Sequence, residues 1–241
     1  MSEIFERERW LIGDAALERL GRSRVALFGV GGVGSYAAEA LARSGVGHIE
    51  LIDNDVVSIT NINRQLCALT STVGRPKVSV VAERLRDINP RIEVMERQEF
   101  FLPESADSFD FSSYDYVIDA IDTVAGKIAI IERATAAGVP FISCMGTGNK
   151  LDPTAFRIAD ITKTAVCPLA RVMRRELKQR GISHARVVYS EENARSSAGV
   201  DERGRPLPAS IAFVPSVAGL IAASDAIKTL IAKDERTAEN E

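Results

Sequence analysis

Four glycines and an aspartate stand at a spacing that suits the binding of phosphate and ribose. The glycines lie in Gly29-Val30-Gly31-Gly32-Val33-Gly34, directly after the apolar run 25–28, and Asp53 ends the apolar run 49–52. Glycine lets a backbone turn sharply and approach a ligand, and a helix N-terminus attracts phosphate. A carboxylate about twenty residues further on can accept hydrogen bonds from ribose hydroxyls. The spacing predicts a nucleotide-binding turn with Asp53 on the ribose.

Cations and a further carboxylate follow this turn along the chain. The polar segment 54–66 contains one arginine, Arg64, and Lys77 stands near the start of a predicted helix. A dinucleotide dehydrogenase has little use for a guanidinium here unless its cofactor carries a 2′-phosphate, whereas a triphosphate needs cations on its transferred or leaving phosphates. Asp122 comes just past the strand that ends at Asp119, where it could hold a magnesium ion against the phosphates.

The elements that must position these residues alternate between strand and helix. Largely apolar segments predict strands at 24–28, 49–52, 116–119 and 140–143, and alternation of polar and apolar residues predicts another at 91–95. Helical spacing, with glycine and proline at the ends, predicts helices at 14–20, 35–43, 76–88 and 124–137. This alternation predicts an α/β fold with a doubly wound, mostly parallel, Rossmann-like sheet.

The pattern changes after Gly146, and a C-terminal α/β extension is expected there. Strands are predicted at 156–159 and 186–189, a basic helix at 169–180, a mobile loop at 190–210 and a final helix at 217–232. We therefore expect a nucleotide-binding domain over residues 1–145, and an extension over residues 146–241 that is continuous with the same domain.

Composition narrows the class of protein. The 241 residues carry a net charge of −3, with 26% charged and 46% hydrophobic residues, which is typical of a folded cytosolic protein rather than a general nucleic-acid coat. Three distant cysteines do not predict a disulfide framework. The charged start of the chain is no signal peptide, and the longest apolar stretch, 211–223, is interrupted by Pro215 and Gly219. We expect a cytoplasmic protein that does not enter a membrane.

Together these motifs resemble the superfamily of ubiquitin-activating and molybdopterin- or thiamine-biosynthesis adenylyltransferases. The resemblance spans residues 5–150 and rests on GVGGVGS at 29–35, DNDVVSITNINRQ at 53–65, GRPK at 74–77 and DAID at 119–122. Enzymes of that superfamily attack the α-phosphate of ATP with a carboxylate, which releases pyrophosphate and leaves an acyl-adenylate.

The resemblance implies ATP and Mg²⁺ as ligands and a role for each matching residue. It implies Asp53 on the ribose, Asp122 on magnesium, and Arg7 as an arginine inserted by a neighbouring subunit of a homodimer. The ATP-binding set it implies is Gly29, Gly31, Gly32, Gly34, Asp53, Asp55, Asn61, Arg64, Gln65, Lys77 and Asp122. Arg7, Arg64, Lys77 and Asp122 would be catalytic, through electrostatics as pyrophosphate departs.

Within the superfamily the chain is most similar to the tRNA threonylcarbamoyladenosine dehydratase family. The similarity lies in segments 42–47, 116–122, 150–154 and 160–164. That family adenylates the threonyl carboxylate of a modified adenosine in tRNA, and AMP then leaves as the side chain closes into a ring. The resemblance implies an ATP-dependent dehydration, with tRNA carrying threonylcarbamoyladenosine as the partner, and leaves open a sulfur-transfer protein as a further partner.

Two observations favour this branch over the protein-activating one. Enzymes that activate sulfur carriers commonly keep two CxxC pairs for zinc, and this chain has none. A basic strip also falls within three helical turns, where it could contact tRNA phosphates or simply face solvent. Its residues are Arg171, Arg174, Arg175, Lys178 and Arg180.

Alternative readings remain open at this stage. The chain could adenylate the C-terminal carboxylate of a ubiquitin-like sulfur-carrier protein, and Cys167 could then form a thioester, although a free cysteine is more often buried. The chain could also belong to a different functional class, as a nucleotide-sensing or NAD-binding module that does not adenylate a substrate. Replacing Arg64 or Asp122 would leave nucleotide binding by such a module largely intact.

Overall fold

A seven-stranded sheet with helices on both faces organises the chain. The computed structural model describes residues 3–197, 199–200, 204 and 207–232, so residues 233–241 of the expected extension, and part of the expected loop 190–210, lie outside the described residues. The strands are β1 (Arg24–Phe28), β2 (His48–Ile52), β3 (Glu93–Arg97), β4 (Tyr116–Asp119), β5 (Phe141–Cys144), β6 (Phe156–Asp160) and β7 (Arg186–Ser190). The helices are α1 (Glu6–Arg22), α2 (Gly34–Arg43), α3 (Lys77–Ile88), α4 (Val124–Ala136), α5 (Pro168–Gln179) and α6 (Phe213–Ile231).

The strand order places the ends of β1 and β4 side by side. The order across the sheet is β3-β2-β1-β4-β5-β7-β6, and every pair is parallel except the edge pair β6 and β7. The predicted mostly parallel α/β sheet is confirmed. Chain connections leave β1 and β4 in opposite directions across the sheet, and a ligand-binding crevice is expected outside the carboxyl ends of such strands.

Helix α6, the last helix of the described residues, packs against α2 in the N-terminal half of the chain. A Cβ atom on Gly219 would lie 2.2 Å from the backbone oxygen of Val33, so glycine is required for this close approach. A Cβ atom on Gly32 would lie 3.3 Å from the Cβ of Pro215, so Pro215 of α6 packs closely beside the glycine turn. By length and composition α6 could cross a membrane, but half of it is buried inside the fold, as in the core helix of a soluble protein.

Candidate functional site

A cavity of about 620 Å³ opens at the carboxyl ends of the strands, beside β1 and β4. The loops after β1, β2, β3 and β4 supply most of its walls, and the C-terminal half of the chain adds Thr147, Ser210 and Pro215. Among the residues implied by the resemblance, those that line it are Gly29, Gly31, Gly32, Asp53, Asp55, Asn61, Arg64, Gln65, Lys77 and Asp122. Residues separated by almost a hundred positions in the chain are thus brought to one cavity.

Two implied residues do not line the cavity. Gly34 is buried under the turn as the first residue of α2. Arg7 is exposed on α1 and is not among the residues that form the cavity walls. The role expected for Arg7 requires a second subunit, so it stays a prediction.

The glycine turn is held in a conformation that other residues do not fit. Gly29 has a φ of +87°, in the left-handed region that favours glycine, and a Cβ on Gly34 would lie 1.8 Å from the Gly29 oxygen. By contrast, a Cβ on Gly31 would meet nothing nearer than the side chain of Gln65 at 3.6 Å. Gly34 is therefore needed for the turn itself, while Gly31 keeps open the space where a ligand would approach the backbone.

Replacing Gly34 by alanine is expected to push the turn open. The overlap with the backbone of Gly29 can be relieved only by moving the main chain, which costs about 1–3 kcal/mol of unfolding free energy. Thermal unfolding and ATP titration of Gly34→Ala should show a lower Tm and weaker ATP binding. Gly21→Ala is the matched control, since a Cβ there meets nothing within 4 Å. Equal behaviour of the two variants would contradict this account.

Asp53 supports the turn as well as facing the cavity. One carboxylate oxygen accepts the Val30 N–H at 2.8 Å, and the other accepts the Asp55 N–H at 2.8 Å. Burial raises the pKa of Asp53, although these two hydrogen bonds and the charge of Lys77 act in the opposite direction. Each carboxylate oxygen keeps a lone pair for a further donor, so the geometry leaves room for two ribose hydroxyls.

The two cations of the cavity differ in their partners. Lys77 is almost fully buried, and its Nζ pairs with the Asp55 carboxylate at 2.6 Å. Arg64 uses Nη1 to donate to the Thr60 carbonyl oxygen at 2.9 Å and to the Asn63 Oδ1 at 2.9 Å. Among the described residues no carboxylate lies within ion-pair distance of Arg64. Its positive charge is therefore available to an anionic ligand.

Asp122 presents an exposed carboxylate to the cavity from the loop between β4 and α4. The described residues contain no group of three or more histidine, cysteine, aspartate or glutamate side chains that could hold a metal by themselves. Magnesium is usually bound by one or two carboxylates together with the phosphates and water. The donor set therefore fits a magnesium ion shared between Asp122 and bound phosphates.

A buried charge network lies directly beneath the Asp122 loop. Lys127 Nζ donates to Asp119 Oδ1 at 3.0 Å and to the Cys144 carbonyl oxygen at 2.7 Å. Ser143 donates its hydroxyl to the other Asp119 oxygen at 2.5 Å, and the Ile121 N–H donates to Oδ1 at 3.2 Å. The network fixes the first residues of the loop that carries Asp122.

The residues of the basic strip on α5 differ in whether their side chains are already paired within the fold. Arg174 donates to the carbonyl oxygens of Ile161 and Thr164 at 3.2 and 2.8 Å, so its guanidinium is occupied within the fold. Arg175 and Arg180 both pair with Glu176. Arg171 and Lys178 are exposed, and neither has a partner in the described part of the chain.

All three cysteines are buried and free. Burial raises the pKa of Cys67 to about 11 and that of Cys144 to about 12, so neither forms a thiolate near neutral pH. Cys167 is 4% exposed, which keeps its sulfur away from a protein partner.

A thiol titration tests whether the three cysteines are unreactive in the native protein. We expect the native protein to leave all three thiols unmodified by Ellman's reagent at pH 8, because the reagent needs an accessible thiolate. In denaturant all three should react. Rapid reaction of one thiol in the native state, lost in Cys167→Ala, would instead support a nucleophilic Cys167; Cys67→Ala is the matched control.

Several residues of the site were not found from the sequence. Asn63 contacts Arg64, and Thr147 and Ser210 come from the half of the chain that was expected to form only the extension. Asn63 could have been noticed as the neighbour of Arg64. Nothing in local sequence signals that Ser210 reaches the cavity, because tertiary contacts alone bring it there.

Comparison with known protein families gives a match over residues 5–241 to the ThiF family. The chain belongs to the ThiF family. This ThiF-family chain is 47% identical over 243 residues to the tRNA threonylcarbamoyladenosine dehydratase of Bacillus subtilis (strain 168), with 96% of each chain covered.

Solved structures agree with the sequence comparison. The crystal structure of the E. coli tRNA N6-threonylcarbamoyladenosine dehydratase in complex with ATP matches with a TM-score of 0.89 at 36% identity, over 97% of this chain and 96% of that one. A structure of that E. coli enzyme with AMP matches with the same TM-score and identity, over 98% of each chain. The confirmed family and fold therefore include relatives with a bound adenine nucleotide.

The protein-activating branch of the family is more distant. The adenylyltransferase and sulfurtransferase uba4 of Aspergillus niger is 35% identical over 125 residues, which is 52% of this ThiF-family chain and 26% of that protein. The shared part is about half of the chain, whereas the match to the dehydratase extends along nearly all of it.

Proposed function

We propose that the protein is an ATP-dependent tRNA threonylcarbamoyladenosine dehydratase, which adenylates the threonyl carboxylate and then cyclises it. The observation that carries this proposal is the match to the B. subtilis dehydratase, at 47% identity over 96% of both chains. The cavity supports it, because a glycine turn, a ribose-facing carboxylate and two cations line one space.

The proposed reaction proceeds in two displacements. A carboxylate oxygen of the substrate attacks the α-phosphorus of ATP, the bond to the β-phosphate breaks, and pyrophosphate leaves. A nucleophilic atom of the same side chain then attacks the acyl carbon and gives up its proton to solvent, the bond from the acyl carbon to the former carboxylate oxygen breaks, and AMP leaves with that oxygen. The carboxylate is already ionised at neutral pH, so the first step needs no general base. The nucleoside loses one water overall, and ATP becomes AMP and pyrophosphate.

The cavity residues act by binding and charge stabilisation in this proposal. Arg64 and Lys77 neutralise the phosphates as negative charge develops on pyrophosphate, and Asp53 holds the ribose. Asp122 would hold Mg²⁺, which when bound supplies positive charge to the phosphate oxygens. The remaining implied contacts come from the glycine turn and from Asp55, Asn61 and Gln65, all of which line the cavity except Gly34.

We also propose a division of labour along the chain. Residues 1–145 would form the ATP-binding domain, and residues 146–241 its tRNA-facing extension. Arg7 would complete the site of the second subunit in a homodimer, and the enzyme would act in the cytoplasm. A sulfur-transfer protein as an additional partner stays a prediction.

The decisive experiment measures AMP release from ATP and Mg²⁺ by the purified full chain. It compares bulk tRNA carrying threonylcarbamoyladenosine with tRNA lacking that modification, and the nucleoside is analysed by mass. AMP release that requires the modification, with a nucleoside lighter by one water, is the expected result. ATP–pyrophosphate exchange that requires a sulfur-carrier protein and ignores tRNA would overturn the proposal in favour of the alternative adenylyltransferase.

A charge reversal on α5 tests the tRNA-facing surface. Arg171 and Lys178 are seven residues apart on one helix face and unpaired in the described structure, so their joint replacement by glutamate should weaken tRNA binding. The slope of log affinity against log salt should fall by about one for each lost phosphate contact. Arg91→Glu, at an exposed site away from α5, is the control. An unchanged salt slope would remove this strip from the interface.

A further inference from the structure

A short segment before α6 forms part of the cavity wall, and we name residues 207–211 the strap. Its Ser210 lines the cavity. The Asn149 N–H donates to the Ala209 oxygen at 2.8 Å, and the Ala209 N–H donates to the Asn149 Oδ1 at 2.7 Å. Asn149 has a φ of 60°, a left-handed conformation that asparagine adopts more readily than most residues. Asn149 thus anchors the strap through both backbone polar groups of Ala209.

Asn63 joins the strap to the ATP side of the cavity. Its Nδ2 donates to the Ser210 carbonyl oxygen at 3.0 Å, and its Oδ1 accepts from Arg64 Nη1 at 2.9 Å. Because the Ser210 carbonyl can only accept a hydrogen bond and the Arg64 guanidinium can only donate one, Nδ2 of the Asn63 amide must face Ser210 and Oδ1 must face Arg64. One short side chain therefore bridges a backbone oxygen of the C-terminal half and the unneutralised cation of the cavity.

The orientation of Arg64 depends on few contacts. Its Nη1 is held by Asn63 and by the Thr60 carbonyl oxygen, while Nε and Nη2 have no partner among the described residues. These two nitrogens form the edge of the guanidinium that can grip a phosphate with two hydrogen bonds. Loss of the Asn63 contact would leave a single hydrogen bond to fix the direction of that edge.

We propose that Asn63 is a positioning residue that couples the strap to Arg64. The phosphate-binding edge of Arg64 is held in place while the strap is docked on Asn149, and it is released when the strap detaches. The C-terminal half, which would face tRNA, thereby controls a cation that acts on ATP. This inference rests on the proposed function in one respect, namely that Arg64 binds the phosphates of ATP.

A mutant cycle on ATP affinity tests the coupling. Isothermal titration of the full chain with ATP and Mg²⁺ is compared for Asn63→Ala, Asn149→Gly and the double variant. Glycine keeps the left-handed conformation and removes only the side chain. Each single variant should bind ATP about fivefold more weakly, which is within the range expected for the net contribution of one ordinary hydrogen bond. The double variant should bind no more weakly than Asn63→Ala, because the strap acts through Asn63.

The same variants in an Arg64→Ala background separate positioning from a general structural role. Without Arg64, neither Asn63→Ala nor Asn149→Gly should change ATP affinity further, whereas a structural defect would persist. Asn193→Gly is the matched control for Asn149→Gly, since Asn193 is exposed and makes no side-chain hydrogen bond in the described structure. Asn63→Ser provides a second variant with a shorter polar side chain.

Three outcomes would overturn the coupling. The first is an Asn149→Gly variant that binds ATP as tightly as the wild type. The second is a double variant in which the two single losses of ATP affinity multiply. The third is a loss of ATP affinity in Asn63→Ala that persists in the Arg64→Ala background. A wild type that binds ATP but releases no AMP with modified tRNA would refute the proposed function instead. The affinity cycle would still decide the coupling in that case.

Discussion

Arg64→Ala is expected to lower the rate of AMP release with modified tRNA by about 10²–10³-fold, which is the usual cost of removing one preorganised charge-stabilising donor. Arg64 lines the cavity and has no carboxylate partner in the described structure, so its charge is free to meet the charge that develops on pyrophosphate. Lys77 is paired with Asp55, so its charge compensates only in part for the loss of Arg64. The rate is measured at saturating ATP, so that weaker ATP binding does not contribute.

The control for this variant is Arg91→Ala, which removes an arginine from an exposed site outside the cavity. That variant should release AMP at the wild-type rate. A loss of less than about threefold in Arg64→Ala would show that the guanidinium does not act on the reacting phosphates. The mechanism proposed for the cavity would then have to rely on Lys77 and Asp122.

Lys127→Met is expected to lower the free energy of unfolding by about 3–5 kcal/mol, the range for breaking a buried ion pair from one side. Methionine has a similar shape but no charge, so it leaves the fully buried Asp119 carboxylate without its cation. Ser143 and the Ile121 N–H would be its remaining donors in the described part of the chain. Urea denaturation followed by circular dichroism measures the change.

Arg133→Ala on the same helix provides the comparison. Arg133 pairs with Asp107 at 2.6 Å, but both side chains are largely exposed, and pairs of that kind contribute about 0–1 kcal/mol. The two variants therefore remove ion pairs of similar geometry that differ in burial. Equal destabilisation by the two variants would show that burial of the Lys127–Asp119 pair does not increase the cost of breaking it.

The β-strands and the glycine turn were predictable because their signals are local. The runs at 24–28 and 116–119 match β1 and β4, since strands covered on both faces are apolar along their length. Helix boundaries are predicted less accurately where a single glycine or proline is compatible with more than one local structure. Gly13, with a φ of 81°, interrupts α1, so the helix predicted from residue 14 is the second of its two helical segments, and the first segment, from Glu6, is one that the sequence pattern does not predict.

Helix α6 gives a second example of a boundary that local signals misplace. It begins at Phe213 rather than at residue 217, because Pro215 falls in its first turn, where no intrahelical N–H bond is lost. The sequence pattern had treated this proline as an interruption. A proline near a helix start is compatible with both readings, and only the packing of α6 on α2 decides between them.

Some residues of the cavity can likewise be predicted from local motifs, whereas other contacts depend on tertiary packing. Asp53, Arg64, Lys77 and Asp122 follow motifs and were found, and they line one space. The support of the turn by the Asp53 carboxylate, and the link from Asn63 to Ser210, join segments 23 and 147 residues apart. The spacing of the glycine turn and Asp53 predicts that these two lie together, but nothing in periodicity or spacing predicts the contact of Asn63 with Ser210, because it depends on how finished elements pack.

The contact between α6 and the glycine turn has a consequence for synthesis of the chain on the ribosome. The turn is made early, but the helix that packs against Val33 and places Pro215 in the cavity wall lies near the end of the described chain. A nascent chain that has emerged only as far as β5 lacks the strap and this helix. The cavity wall at Ser210 and Pro215 is therefore completed late in translation, after α6 has left the exit tunnel.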